Sequence, residues 1–266
     1  TFLFGMIKRL LIPFGLHHVF YLPFWQTALG GTMEVAGTMV AGAQNIFFAQ
    51  LADPTVTHFS TAGTWCFTGE FVLYIFGFPG AALAMYRCAK PERKKQVGGL
   101  LLSAALTSIL TGITEPLEFS FMFLAPALYV IHAVLTGISM AVIAALPIRA
   151  GFNFSAGFVD LFFSSWVPLA QNPWLLIPIG IVVGVIYYIV FRFVIVKFNL
   201  KTPGREDDDD EESEGFSKLV KDQGYDGLAK KYVDVLGGKE NIKEIESCIT
   251  RIRLVLKSNK YLDEKA

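Results

Sequence analysis

The stretch WLLIPIGIVVGVIYYIVF, residues 174–191, contains no charged side chain and is followed by Arg192 and Lys197. About 20 apolar residues are enough to cross the hydrocarbon core of a bilayer as a helix, so the segment predicts a membrane span. Trp174 and the Tyr187/Tyr188 pair suit interfacial positions, although tyrosine pairs also occur inside bundles. Further windows of the same kind lie upstream. Residues 119–148 are apolar throughout apart from a few hydroxyls and His132, and windows 71–86 and 97–114 flank the sequence RCAKPERKK. That loop carries Arg87, Lys90, Arg93, Lys94 and Lys95. A short basic loop between apolar segments places itself on the cytoplasmic side.

Composition agrees. Hydrophobic residues make up 53% of the 266, charged residues only 17%, and there are 24 Phe, which excludes an ordinary soluble domain. The formal net charge of zero hides an asymmetry: residues 1–200 hold ten Lys/Arg against seven Asp/Glu, and residues 201–266 hold thirteen against sixteen. No basic stripe interleaved with aromatics points to nucleic acid. Three scattered cysteines, Cys66, Cys88 and Cys248, propose neither a disulfide framework nor a metal site. The chain does not begin with Met and shows no signal peptide, so it reads as a fragment of a longer protein.

Two stretches fit a simple span badly. FGLHHVFYLPFW and GFNFSAGFVDLFFSSWVPL mix Gly, Pro, His, Asp and Asn with aromatics. Irregular backbone at membrane depth survives only inside protein or beside a wet cavity, so these read as broken or re-entrant helices, the elements from which transporters build substrate sites. After Lys201 the run KTPGREDDDDEESEG, with eight acidic residues between 206 and 214, reads as a self-repelling linker. Beyond it Leu219, Val220, Leu228, Tyr232, Val233 and Leu236 keep helical spacing, closed by Gly237-Gly238, and strict alternation from Ile252 to Leu256 marks a half-buried strand. The expected fold is a polytopic α-helical membrane domain with broken or re-entrant helices, joined by an acidic linker to a small α+β cytoplasmic domain, both incomplete.

Within LTGITEPLEFSFMF, residues 110–123, the carboxylates Glu115 and Glu118 stand three apart in otherwise apolar sequence. A carboxylate in hydrocarbon is costly, and such residues are functional candidates by default. Pro116 removes a backbone donor and disfavours helix at the residue before it, so the segment is expected to break at Glu115. A carboxylate beside freed backbone groups suits a polyol ligand; the alternative is a packing ion pair with a basic residue. Arg9, His17 and His18 in KRLLIPFGLHH offer one fixed and two switchable donors, or an interfacial arginine with two packed imidazoles. Cys248 is followed by Arg251 and Arg253. Nearby guanidinium groups favour the thiolate and match phosphate oxygens, which makes Cys248 a candidate phosphate acceptor; a buried structural cysteine beside surface arginines is the plain alternative. His132 and Asp160 read as structural or cavity-lining residues.

The segments LIPFGLHH, AKPERKKQVGGLLLSAALTSILTGITEPLEFSFMFLAPALYVIHA, FNLKTPGRE and GGKENIKEIESCITRIRL occur in that order. Together they resemble the glucose-superfamily sugar permeases of the bacterial phosphoenolpyruvate-dependent phosphotransferase system, in their joined IIC and IIB parts, over essentially the whole chain. The resemblance implies residues 1–200 as the C-terminal part of the IIC sugar-translocating domain, 201–215 as an acidic linker and 216–266 as the N-terminal part of the IIB phosphocysteine domain. It implies a multi-pass protein of the bacterial cell membrane with IIB in the cytoplasm, a homodimer in lipid, and a sugar phosphotransferase coupled to transport. Cys248 falls on the phosphocysteine position, Arg251 and Arg253 on the arginines that assist transfer. Glu115, His17 and Arg9 fall on sugar-binding positions, with His18 and Glu118 in the same motifs. The phosphate derives from phosphoenolpyruvate through the relay and a phosphorylated IIA partner. No bound cofactor or metal is expected. Further spans before residue 1 and more of IIB after residue 266 are implied as well. FYLPFWQTALGG through NIFFAQLADP looks most like the maltose/α-glucoside members, which makes maltose the expected sugar and glucose or N-acetylglucosamine the alternative. A sugar transporter without phosphorylation, or a flux-sensing regulator, are the rival classes.

Overall fold

The computed structural model describes residues 1–205, 224, 226–227, 229–248 and 251–258. The chain divides into two compact units, residues 1–206 and 207–266.

The first unit is helical. Helix α1 (Phe2–Leu10) gives way to a 3₁₀ turn at Ile12–Phe14, and Gly15, with φ +69°, reverses the chain into α2 (His17–Gln26). A hairpin of β1 (Thr32–Val35) and β2 (Thr38–Ala41) follows, turning through Ala36 and Gly37, both at positive φ. That is the two-residue hairpin turn whose twist matches its strands. This hairpin is not signalled by the apolar windows. Helices α3 (Ala43–Ala52) and α4 (Thr61–Thr64) lead to α5 (Thr68–Val72) and α6 (Phe78–Cys88), which are continuous through a π-helical turn at Leu73–Gly77. The Ser108 hydroxyl donates to the Tyr74 carbonyl oxygen in that turn at 2.6 Å. Then come α7 (Lys94–Thr111), α8 (Glu115–Met122), α9 (Pro126–Ala145), α10 (Phe158–Trp166) and α11 (Leu176–Lys197).

Among the described residues, three helices are long and apolar enough to cross a membrane: Thr68–Cys88, Pro126–Ala145 and Pro173–Lys197. The single window expected over 119–148 is two helices, because Pro126 starts α9 afresh and Phe123–Ala125 separate it from α8. The irregular stretches are indeed broken. Pro23 sits inside α2, and residues 151–157 precede the short α10, with the Asp160 carboxylate accepting from the amides of Asn153 and Ser155 at 3.0 and 3.2 Å.

Close helix approach is set by glycine. A Cβ on Gly80 of α6 would lie 2.3 Å from the carbonyl oxygen of Gly184 in α11, and one on Gly137 of α9 would lie 2.8 Å from that of Phe2 in α1. Small residues at such crossings let backbones meet where lipid offers no hydrophobic drive between helices. Phe67, Phe71, Phe78, Phe121 and Phe191 fill the interior and are fully buried.

Residues 201–205, assigned from composition to the linker, are partly packed. Thr202 and Gly204 are buried, Gly204 accepts from the Lys90 amide at 2.9 Å, and Arg205 donates to the Cys88 carbonyl at 3.0 Å. The acidic run 206–214 lies outside the described residues. In the second unit, residues 229–235 are helical and the Gly238 amide closes the helix on the Val233 carbonyl at 2.8 Å, as the Gly-Gly pair predicts. Leu219, Val220 and Leu228 of the expected helical face lie outside the described residues. Strands β3 (Ile242–Cys248) and β4 (Arg251–Leu256) pair antiparallel. The alternation foretells β4, whereas Ile242–Cys248 lacks that strict period and shows itself as β3 only in the structure.

Gly80→Leu is expected to lower the unfolding temperature of the detergent-solubilised protein, by about 1–3 kcal/mol of stability or more for overpacking. Gly99→Ala, where a Cβ meets nothing within 4 Å, is expected to leave it unchanged or raised; scanning fluorimetry of both variants checks this.

Candidate functional site

Helix α7 ends at Thr111 because Gly112 takes the left-handed conformation, φ +75°, and α8 starts at Glu115 with Pro116 in its first turn. The break is therefore residues 112–114, just ahead of the carboxylate. A Cβ on Gly112 would stand 2.7 Å from the Gly157 amide nitrogen, so the break also needs a residue without a side chain. Opposite it, Gly15 brings α2 in with His17 as its first residue. The two breaks face a common cavity of about 230 Å³, lined among others by Lys8, Arg9, His17, His18, Tyr21, Trp25, Glu70, Tyr74 and Glu115.

Glu115 is partly exposed into this space, with its Oε1 3.8 Å from His17 Nε2, and its Oε2 accepts from the Thr114 amide at 3.1 Å. Both ring nitrogens of His17, Nε of Arg9 and Nε1 of Trp25 are buried without a hydrogen-bond partner. Buried polar groups are normally satisfied, so four unpartnered atoms around one cavity mark it as a place for a polar ligand. His18 stacks on His17 with centroids 4.1 Å apart and its Nδ1 is 2.7 Å from the Tyr21 hydroxyl.

Arg9 and Glu118 form a buried pair behind the wall. Arg9 Nη1 donates to Glu118 Oε2 at 3.1 Å and Oε1 at 3.2 Å, and to the Thr114 hydroxyl at 3.0 Å. That hydroxyl donates on to Glu118 Oε2 at 2.8 Å, and His132 Nε2 stands 3.2 Å from Glu118 Oε1. Tyr187 in turn sits 3.3 Å from His132 Nδ1. The guanidinium lies over the Tyr74 ring, 4.8 Å from its centroid. Arg9 still reaches the cavity. Glu118, expected among the sugar contacts, does not line it: it is fully buried and its oxygens are occupied. The packing alternative weighed for this carboxylate is the one its geometry favours, and His132 is structural.

Sequence reasoning missed the second ion pair. Lys8 bonds Glu70, whose other oxygen accepts from the Tyr74 hydroxyl at 2.9 Å, and the Lys8 ammonium lies 5.0 Å from the Tyr21 ring centroid and 5.8 Å from that of Trp25. A charge at Glu70, immediately before the apolar window 71–86, was the available signal.

In the second unit the Cα register places Cys248 opposite Arg251 and Glu246 opposite Arg253, so the cysteine and both arginines share one end of the β3–β4 hairpin. Among the described residues, no group of three or more His, Cys, Asp or Glu is arranged to hold a metal ion.

A polar cavity with unpartnered donors inside a helical unit with three apolar helices long enough to span a bilayer has the architecture of a membrane protein. The chain belongs to the EIIC family of the phosphotransferase system: the profile described as Phosphotransferase system, EIIC matches residues 1–137, and that of phosphotransferase system, EIIB matches residues 230–263. It is similar to the PTS system glucose-specific EIICBA component of Staphylococcus carnosus (strain TM300), 50% identical over 263 residues. The alignment covers 99% of this chain and 37% of that relative, so the chain spans little more than a third of its length.

Arg9→Met is expected to cost about 3–5 kcal/mol by leaving Glu118 as an uncompensated buried charge. Pairing it with Glu118→Met is expected to recover part of that loss, read as the unfolding temperature of single and double variants in detergent.

Proposed function

We propose that this chain, within its full-length protein, takes up a sugar by group translocation and phosphorylates it, with glucose as the substrate. The observation that carries this reading is the Glu115–His17 wall, an acceptor and unpartnered donors meeting at a helix break in a member of the EIIC family. Sugar hydroxyls donate to the carboxylate and accept from the imidazole, Arg9 and Trp25. Lys8 and His18 complete the polar lining, while Glu118 acts by positioning Arg9.

The S–P bond of phosphorylated Cys248 breaks as a sugar hydroxyl oxygen bonds phosphorus. The hydroxyl proton passes to Glu115, and Cys248 is left as the thiolate. Arg251 and Arg253 offer guanidinium groups to the phosphoryl oxygens, where charge must be stabilised. A phosphorylated IIA partner restores the phosphocysteine, and the phosphate originates in phosphoenolpyruvate. The protein works in the bacterial cell membrane, as a homodimer, with the Cys248 unit in the cytoplasm. The basic loop 87–95, packed against residues 202–205, supports that orientation.

Glucose replaces the maltose expected from residues 20–54, because the aligned relative, half identical along nearly the whole chain, is described as glucose-specific. The experiment supplies membrane vesicles of the full-length protein with the relay proteins, IIA and labelled glucose, maltose or N-acetylglucosamine separately. Glucose phosphate as the dominant product is expected; another sugar phosphate would correct the substrate, and none at all with an active relay would favour a facilitator. Glu115→Gln is expected to keep sugar binding and lower transfer at least about 100-fold, the range for a general base. Cys248→Ser is expected to abolish both phosphorylation and uptake, whereas a plain transporter would keep uptake.

A further inference from the structure

A second opening, of about 510 Å³, runs along the outside of the membrane unit between α6 and α7. Its walls are apolar, formed by Leu83, Leu101, Leu102, Leu106 and Ile109, and Leu102 is 62% exposed. One end is different: Tyr86, Lys94 and Lys95 close it, with the Lys94 ammonium 5.9 Å from the Tyr86 ring centroid. No carboxylate is among the lining residues, and the one acidic side chain of the adjoining loop, Glu92, is outnumbered there by five basic ones. Gly98 keeps the space open at this end, since a Cβ there would lie 3.0 Å from Tyr86 Cε2.

We propose that this groove is a binding site for an anionic phospholipid, with one acyl chain along α7 and the headgroup phosphate at Lys94 and Lys95. Length supports the fit. Gly98 and Ile109 stand eleven positions apart on the helix, a rise of about 16 Å, against about 15 Å for half the hydrocarbon core. An acyl chain of one leaflet therefore ends where the apolar lining ends. Charge decides the headgroup: two ammonium groups without a facing carboxylate favour an anionic over a zwitterionic lipid. Tyr86 supplies the aromatic side chain that suits the depth of the headgroups. An apolar helix of another protein segment would cover the leucines and leave the two lysines without a counter-charge.

The test is native mass spectrometry of the full-length protein in detergent, titrated with phosphatidylglycerol and with phosphatidylcholine of identical chains. The expected result is about tenfold tighter binding of phosphatidylglycerol. That preference is expected to vanish in K94Q/K95Q while phosphatidylcholine binding holds, and binding of both lipids is expected to fall in L102W, which fills the groove from an exposed position. Should the double variant fail to fold, K95Q alone, at an exposed residue, is expected to reduce the preference severalfold. Equal affinity for the two lipids, a preference that survives the lysine changes, no effect of L102W, or no retained lipid because protein covers the groove would each overturn the proposal.

Discussion

The buried contact between Arg9 and Glu118 is the constraint on which the membrane unit depends. Arg9 is 2% exposed and Glu118 not at all. Removing two charges from water costs several kcal/mol each and is offset only by close geometry and full hydrogen bonding. That geometry requires α1, the 112–114 break, α8 and α9 to meet at one place, because Arg9, Thr114, Glu118 and His132 come from those four elements. A hydrophobic substitute of equal volume would fill the space without fixing the direction of the break. The pair's value therefore lies in where it holds Thr114 and, one residue on, Glu115.

Two glycines set the shape that the pair then locks. Gly15 and Gly112 both adopt left-handed backbone, which other residues reach only with strain. They interrupt helices on opposite sides of the cavity, so His17 and Glu115 each stand at the first position of a new helix. Freed backbone groups, a carboxylate and an imidazole arrive together there, while the apolar remainder of each helix stays packed. Irregular backbone is thus gathered where it is buried in protein or lines the cavity, which is where a bilayer tolerates it.

Much of this was legible. The apolar windows foretold the three long helices, Pro116 foretold the break, and Gly237-Gly238 the helix end. Period-2 alternation after Ile252 foretold β4. What stayed hidden depended on long-range partners. Pro116 marks Glu115 as the residue at the break, but nothing local says that Glu118 faces Arg9, at a sequence distance of 109 residues, rather than the cavity. The Lys8–Glu70 pair is hidden for the same reason, across 62 residues. The β1–β2 hairpin sits inside an apolar block whose composition masks its turn, and Pro126 was lost in the hydropathy of residues 119–148. Loop composition near residues 20–54 carries no measure of cavity chemistry, so the residues there do not by themselves separate maltose from the alternative, glucose.

The π-helical turn at Leu73–Gly77 has its own meaning for this arrangement. One residue more than a regular helix would hold rotates everything after it by about 100° relative to everything before it. Thr68–Cys88 is therefore a single rod with two facings. Its first part turns Glu70 toward the cavity, and its second turns Gly80 toward α11. A helix of unbroken phase could satisfy only one of those neighbours. The extra residue works as an offset coupling, letting the lining of a polar hollow and a close glycine seam be written into the same span.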